Sequence, residues 1–333
     1  MIEKMKSLFA NSGVEVDALL ISFILTIVLG FIIIPILRKL KVGQVVRTDG
    51  PKEHLAKSGT PTMGGIIMLL VIMIVSVGVS IKYKAVLPVA LVTLGYGIIG
   101  FIDDFKKLVL KNPKGLSPAL KMLGLIVVAT AFVVYLTYEQ GVGIAKTMET
   151  YIPIVKQMIE VPTWLYIPFA VFVILACTNS LNLTDGLDGL ASGVTSIIMM
   201  FFIIAAFIFG NKDMSAFSAI VAGTTIGFLF FNMYPARVMM GDTGSLALGG
   251  AFCSVALMLK MPLILIVVAG VCVLEAVSVI IQVTYFKATK GKRFFKMAPI
   301  HHHLELSGMK ETTIVPMFWG ITALLAILSV CMI

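Results

Sequence analysis

Apolar residues in this chain do not recur at the period of an amphipathic helix or strand. They run together in blocks of roughly 17 to 24 residues, separated by short polar segments. At 1.5 Å per residue, such a block crosses a hydrocarbon layer about 30 Å thick, whereas a surface helix of a soluble domain would show a polar stripe on every turn. The blocks lie at 17–37, 62–81, 85–102, 118–138, 164–181, 189–209, 215–233, 244–259, 262–285 and 312–332. They predict an all-α integral membrane protein of about ten transmembrane helices, forming one domain over residues 1–333. No polar stretch exceeds about 30 residues, too few for a soluble domain to bury a core. One polar interval, 139–163, carries Gly141-Val142-Gly143 and the β-branched run 151–155, which predict a small hairpin on the membrane surface.

Composition sharpens this reading. The chain is 59% apolar and 13% charged, with a mean hydropathy of +1.04, against about half apolar and a quarter charged in soluble domains. Lys4 and Lys6 precede an apolar run too long for a secretory signal, with no small-residue cleavage site after it, so this run reads as the first span. Cys177, Cys253, Cys272 and Cys331 all lie within apolar blocks and show no short spacing, which indicates buried hydrophobes and neither a disulfide frame nor a zinc site.

The net charge of +9 is unevenly placed. Basic residues are retained on the cytoplasmic side of a membrane. With the loop after the first block assigned there, that side collects six Lys and Arg in 38–61, five in 103–121, Arg237 and six in 286–311, eighteen of the 26. Both termini are then expected outside, and ten spans satisfy the parity. These basic loops suit topology signals or contacts with anionic membrane lipids, and nucleic acid is not expected as a partner.

The same parity brings every unusual polar cluster to one face. Asp103 and Asp104 end the third block, where two adjacent carboxylates repel each other and a charge deeper in the membrane would cost about 2.5–3.5 kcal/mol. They call for a cation or basic partner, or else pair with Lys106 and Lys107 as a solvated helix end. Asn182-Leu183-Thr184-Asp185-Gly186-Leu187-Asp188-Gly189 is a Gly-punctuated turn whose glycines let backbone N–H groups approach a ligand. Gly241-Asp242-Thr243-Gly244-Ser245 opens the eighth block, where Asp242 is either a helix cap or a ligand beside a phosphate-binding helix start. Oxygen donors of this type, completed by a substrate phosphate, suit Mg2+ or Mn2+. His301, His302 and His303 point about 100° apart on a helix and cannot all face one ion, so contact with ligand or phosphate is the better reading. Glu275 is the one charged residue placed at apparent membrane depth.

Taken in order, 59–65 (Gly-Thr-Pro-Thr-Met-Gly-Gly), 101–105 (Phe-Ile-Asp-Asp-Phe), 182–189, Phe231-Asn232, 240–245 (Met-Gly-Asp-Thr-Gly-Ser) and 298–305 (Ala-Pro-Ile-His-His-His-Leu-Glu) resemble the polyprenyl-phosphate N-acetylhexosamine-1-phosphate transferase superfamily. Within it they are most similar to the branch that forms lipid I. The resemblance covers nearly the whole chain. It implies a multi-pass protein of the bacterial inner membrane that moves phospho-MurNAc-pentapeptide from UDP-MurNAc-pentapeptide to undecaprenyl phosphate, with Mg2+ and release of UMP. It further implies that Asp242 is the metal ligand and that Asp103 and Asp104 are the catalytic pair, Asp103 deprotonating or positioning the lipid phosphate. Lys57, His301 and His302 match catalytic positions. Thr62, Lys107, Lys121, Asn232 and His303 match substrate contacts, while Asn182, Leu183, Asp185, Gly186 and Gln282 match the nucleotide cleft. Met239 stands where some relatives are expected to carry an aromatic residue against uracil, which puts that stacking contact in question.

Two other readings compete. A sister transferase using UDP-GlcNAc shares most motifs but tends to differ in the histidine segment. A transporter should distribute charges through the membrane thickness, and only Glu275 lies there. Oligomeric state, including a homodimer, is left open.

Overall fold

The computed structural model describes residues 13–40, 59–110, 112, 115–139 and 147–333. Each apolar block becomes helical, as a chain in hydrocarbon must, because a helix satisfies its own backbone groups. The helices are α1 (Val14–Lys39), α2 (Gly65–Ser80), α3 (Val86–Leu108), α4 (Pro118–Glu139), α5 (Thr163–Thr184), α6 (Leu190–Ile208), α7 (Lys212–Asn232) and α8 (Gly241–Met258), then α9 (Leu265–Val268), α10 (Gly270–Ala288), α11 (Ile300–Glu305) and α12 (Glu311–Cys331). Eight of these are long and apolar enough to cross a membrane; α2 is shorter, at 16 residues, and α8 is 18 residues long.

The expected hairpin is present as β1 (Thr147–Ile152) and β2 (Gln157–Pro162), antiparallel with Thr147 opposite Pro162. The Tyr151 backbone N–H donates to Lys260 O at 2.7 Å, its hydroxyl to Met332 O at 3.3 Å, and its ring meets Phe209 edge to face. The hairpin thus closes one end of the bundle.

The ninth block departs from its expected form. Residues 262–285 are not one helix: a 3₁₀ turn (Pro262–Ile264) and the single-turn α9 precede a break at Ala269, after which α10 starts at Gly270. Pro262 opens the run in a 3₁₀ turn and Gly270 follows the break, and hydropathy alone does not register either. The second block also begins later than expected. Residues 62–64 form a loop whose neighbours bond across to another: Gly64 and Gly65 N–H donate to the carbonyls of Met239 and Met240 at 2.9 Å, and Met239 N–H donates to Pro61 O at 2.8 Å.

Burial is inverted relative to a soluble bundle. In α1, Val16, Leu20, Ile24, Phe31 and Ile32 are exposed, while Ala18, Ser22, Thr26, Gly30 and Ile34, spaced by four, are buried. Small residues on that stripe let α1 approach α7 closely, the usual basis of helix association in lipid. In α8, by contrast, every residue from Thr243 to Leu257 is buried. A Cβ at Gly65 would collide with Gly244, one at Gly100 with the Asp242 carbonyl, and one at Gly250 with the Tyr96 ring. So α8 is the centre of the bundle, and its glycines and alanines reflect contact with protein on all sides.

Candidate functional site

At the end of the bundle opposite the hairpin, the last turns of α3, α5 and α7 meet the first turns of α4 and α8. Asp103 and Asp104 are successive residues on α3 and therefore point in different directions. Both are buried.

Asp103 faces a pair of lysines. Lys107 Nζ lies 2.8 Å from Asp103 Oδ2 and 3.1 Å from Asp242 Oδ2, and Lys121 Nζ lies 3.2 Å and 2.8 Å from the same two oxygens. The second Asp103 oxygen, Oδ1, accepts the Leu116 backbone N–H at 2.7 Å. Lys107 reaches Asp103 because i and i+4 share a helix face, and Lys121 arrives from the first turn of α4. Two acids and two ammonium groups thus form a closed, charge-balanced ring. Adjacent carboxylates would not be stable here unpaired.

Asp242 completes the ring from the first turn of α8. Its Oδ1 accepts the Asn182 side-chain N–H at 2.9 Å, and Asn182 also donates to Ser245 Oγ at 2.8 Å. Asp242 does not cap its own helix: the N-cap position is Met240, and it has no side-chain cap. That work falls to Asp104, whose Oδ1 accepts the Asp242 N–H at 3.2 Å and whose Oδ2 accepts the Thr243 N–H at 2.9 Å and the Thr243 hydroxyl at 2.6 Å. A carboxylate suits a helix start, where free N–H groups and the helix dipole converge. Thr62 is buried beside this junction: a Cβ on Gly241 would lie 2.7 Å from Asp104 Oδ2 and 3.1 Å from Thr62 Oγ1. With φ near +75° at Gly241, a side chain there would be strained as well as crowded.

The 182–189 turn borders the ring. Asp185 keeps part of its surface open, yet its carboxyl is enclosed; burial pushes it well above the ordinary carboxylate range, and the negative fields of Asp242 and Asp104 push the same way. Leu183 and Gly186 flank it, Gly186 against His301. Asp188 was not singled out from the sequence as a site residue. Its N–H donates to Glu311 Oε1 at 2.5 Å and its Oδ2 accepts the Ala236 N–H at 2.9 Å, which ties the turn to both α12 and the segment before α8. Thr243 and Ser245 were missed in the same way. Only the fold reveals their hydroxyl contacts with Asp104 and Asn182.

Other expected residues take positions around this centre. Asn232 is buried, accepting from Ser192 Oγ at 2.7 Å and donating to Val238 O at 3.0 Å, so it braces the 233–240 segment. Met239 is also buried, its backbone paired to 61–64, and it presents no open face for stacking. Gln282 Oε1 accepts the N–H groups of Phe294 and Phe295 at 3.2 and 2.8 Å. It lines a cavity of about 280 Å³ together with Phe286, Lys287, Arg293 and Ala298. The three histidines diverge as their spacing requires. His301 turns inward to Glu275, His302 Nδ1 lies 2.8 Å from Glu305 Oε2, and His303 Nδ1 accepts the Lys296 N–H at 3.1 Å. Lys57 lies outside the described residues.

Among the described residues, no group of three or more His, Cys, Asp and Glu is arranged to hold a metal ion. What the ring offers is two carboxylates, Asp103 and Asp242, that address the same pair of cations. A hard divalent ion such as Mg2+ typically binds through one or two carboxylates and takes its remaining ligands from water and substrate phosphates, so these donors fit it.

Comparison with known proteins places nearly the whole chain among named relatives. Residues 86–260 match the model of glycosyl transferase family 4, and residues 57–69 match phospho-N-acetylmuramoyl-pentapeptide-transferase signature 1. The chain is 51% identical to the phospho-N-acetylmuramoyl-pentapeptide-transferase of Acetivibrio thermocellus over 96% of this chain and 95% of that protein. It is 49% identical to the protein of the same name from Clostridioides difficile, over 93% and 95%, and 46% identical to that from Halalkalibacterium halodurans, over 94% and 95%.

Proposed function

The chain belongs to the phospho-N-acetylmuramoyl-pentapeptide transferase family, and from that membership we propose that it transfers phospho-MurNAc-pentapeptide from UDP-MurNAc-pentapeptide to undecaprenyl phosphate, forming lipid I and releasing UMP. The observation that carries the reading is the double bridge of Lys107 and Lys121 between Asp103 and Asp242.

In this reaction a lipid phosphate oxygen attacks the sugar-linked phosphorus, the bond to the bridging diphosphate oxygen breaks, and UMP departs. Two phosphate-bearing substrates must approach each other, so catalysis rests on charge neutralisation and positioning. Lys107 and Lys121 are the groups to receive those phosphates, exchanging part of their carboxylate contacts for phosphate contacts. Asp103, beside them, orients the lipid phosphate or accepts its proton. Asp242 would hold Mg2+, or Mn2+ in its place, which supplies further neutralisation of the diphosphate. Asp104 supports the site from behind by fixing the start of α8. On this reading, Asn182, Leu183, Asp185, Gly186 and Gln282 take the nucleotide, and His301, His302 and His303 form the neighbouring wall. The protein would lie in the bacterial inner membrane with this face in the cytoplasm and both termini outside. The distribution of Lys and Arg supports that orientation.

The test is purified protein in detergent, supplied with undecaprenyl phosphate and one UDP-sugar at a time, with UMP release as the readout. UDP-MurNAc-pentapeptide should be used and UDP-GlcNAc should not. Comparable rates with both would move the chain to the sister branch, and release of UMP without a lipid product would refute transfer altogether.

A further inference from the structure

The buried pair Glu275 and His301 has a place in the site that the sequence motifs do not assign. Glu275 sits on α10, and its side chain is fully buried; the His301 side chain is 1% exposed. Their closest approach, Glu275 Oε1 to His301 Nδ1, is 3.1 Å. The contact is not a formed hydrogen bond, and neither side chain has a hydrogen-bond partner among the described residues. A carboxyl group and an imidazole enclosed in protein, 3.1 Å apart and each without a formed hydrogen bond, are poised to bond, because neither has water to fall back on.

The other face of His301 is equally defined. Its Nε2 abuts Gly186, where even a methyl group would collide with the ring nitrogen. The imidazole is thus held between α10, on the Nδ1 side, and the 182–189 turn, on the Nε2 side. When a carboxyl faces Nδ1, the proton resides on that nitrogen and Nε2 is left as an acceptor or metal-free base, the arrangement by which buried acids orient histidines elsewhere. Catalytic hydrogen bonds are commonly long or misaligned before substrate arrives and tighten afterwards, which accounts for the unfinished geometry.

Resting on the transferase reading above, we infer that Glu275 is a positioning residue: it fixes the ring and tautomer of His301 so that Nε2 is presented to the nucleotide-side turn at Gly186. It acts through His301 and does not touch substrate.

Three measurements test this in full-length protein in detergent. Glu275→Leu should lower kcat for UMP release by about tenfold or more, while Glu275→Gln, whose amide oxygen can still accept from Nδ1, should restore most of it. On a His301→Gln background, Glu275→Leu should cost no further activity, because the partner it acts through is gone. The third readout does not use activity. In protein carrying ¹⁵N-histidine, with the His301 resonances assigned by their loss in His301→Gln, the proton should sit on Nδ1 in the parent and move to Nε2 in Glu275→Leu. Equal losses from Glu275→Leu on both backgrounds would make Glu275 a packing residue and overturn the inference, as would a parent His301 protonated on Nε2. Failure of the parent to use UDP-MurNAc-pentapeptide would instead remove the functional reading, while leaving the tautomer measurement to decide the pair.

Discussion

Asp104 accepts the backbone N–H and hydroxyl of Thr243, 139 residues away, at 2.9 and 2.6 Å, so the carboxylate that caps α8 is supplied by α3. This contact frees the helix's own aspartate, Asp242, to face the lysine ring, and it separates the roles of two carboxylates adjacent in sequence.

Asp104→Ala should therefore act first on stability. It leaves buried donors without an acceptor, each costing about 1–3 kcal/mol. A fall of several degrees in melting temperature in detergent is expected, with activity falling alongside. A variant as stable as the parent yet inactive would place Asp104 in the chemistry instead.

For Asp242→Asn the order reverses. The side chain makes no cap, and the substitution keeps its shape, so folding should survive. Removing a charged ligand at the diphosphate should lower magnesium-dependent UMP release about a hundredfold or more, each factor of ten being about 1.36 kcal/mol. Near-normal turnover in a well-folded variant would exclude Asp242 as the metal ligand.

Lys107 and Lys121 each contact both acids, so either can partly cover for the other. Lys107→Met and Lys121→Met should each raise KM and lower kcat, with melting temperature only modestly reduced. The double variant leaves Asp103 and Asp242 facing each other without a cation, and it should express poorly or unfold several degrees earlier. A double variant as stable as the parent would show that the ring is not needed for folding.

Sidedness is checked by labelling. In a variant whose exposed Cys331 is replaced, a cysteine at Gly291 should resist an impermeant thiol reagent in intact cells, and one at Ile154, on the hairpin and 84% exposed, should react. The opposite pattern would invert the orientation.

At the hairpin, Lys260 Nζ lies 2.6 Å from Glu149 Oε2 and holds that carboxyl below its ordinary range. A carboxyl lowered in the folded state adds stability above its unfolded value, which is lost as pH falls through the folded one. Lys260→Met should let the Glu149 carboxyl titrate at a higher pH, as followed by carboxyl ¹³C NMR. Because the pair is solvated, melting temperature near neutrality should hardly change. An unmoved titration would mean that the ion pair does not form.

Much of the molecule was legible in one dimension. Block length read against hydrocarbon thickness located every long helix, and the turn chemistry of 139–163 located the hairpin, because both depend on residues near in sequence. One-sided clustering of Asp103, Asp185, Asp242 and the histidines also followed from counting spans, since successive spans must alternate direction. What the chain order could not reveal is where each side chain points once helices distant in sequence have packed. Asp103 and Asp104 are chemically identical neighbours, and only the position of α8 sends one to the lysines and the other to a helix start. Asn232 and Met239 are placed by contacts that chain order does not show, Asn232 bonding to Val238 O and the Met239 backbone pairing with Pro61 and Gly64. Glu275 showed only as a charge at membrane depth until α11 brought His301 against it. The break at Ala269 was hidden for a related reason: hydropathy reports how much a segment prefers lipid, whereas a helix break depends on backbone geometry. In α8, conversely, a low-hydropathy run of glycines and alanines is the most enclosed helix of all, because its solvent is the rest of the protein.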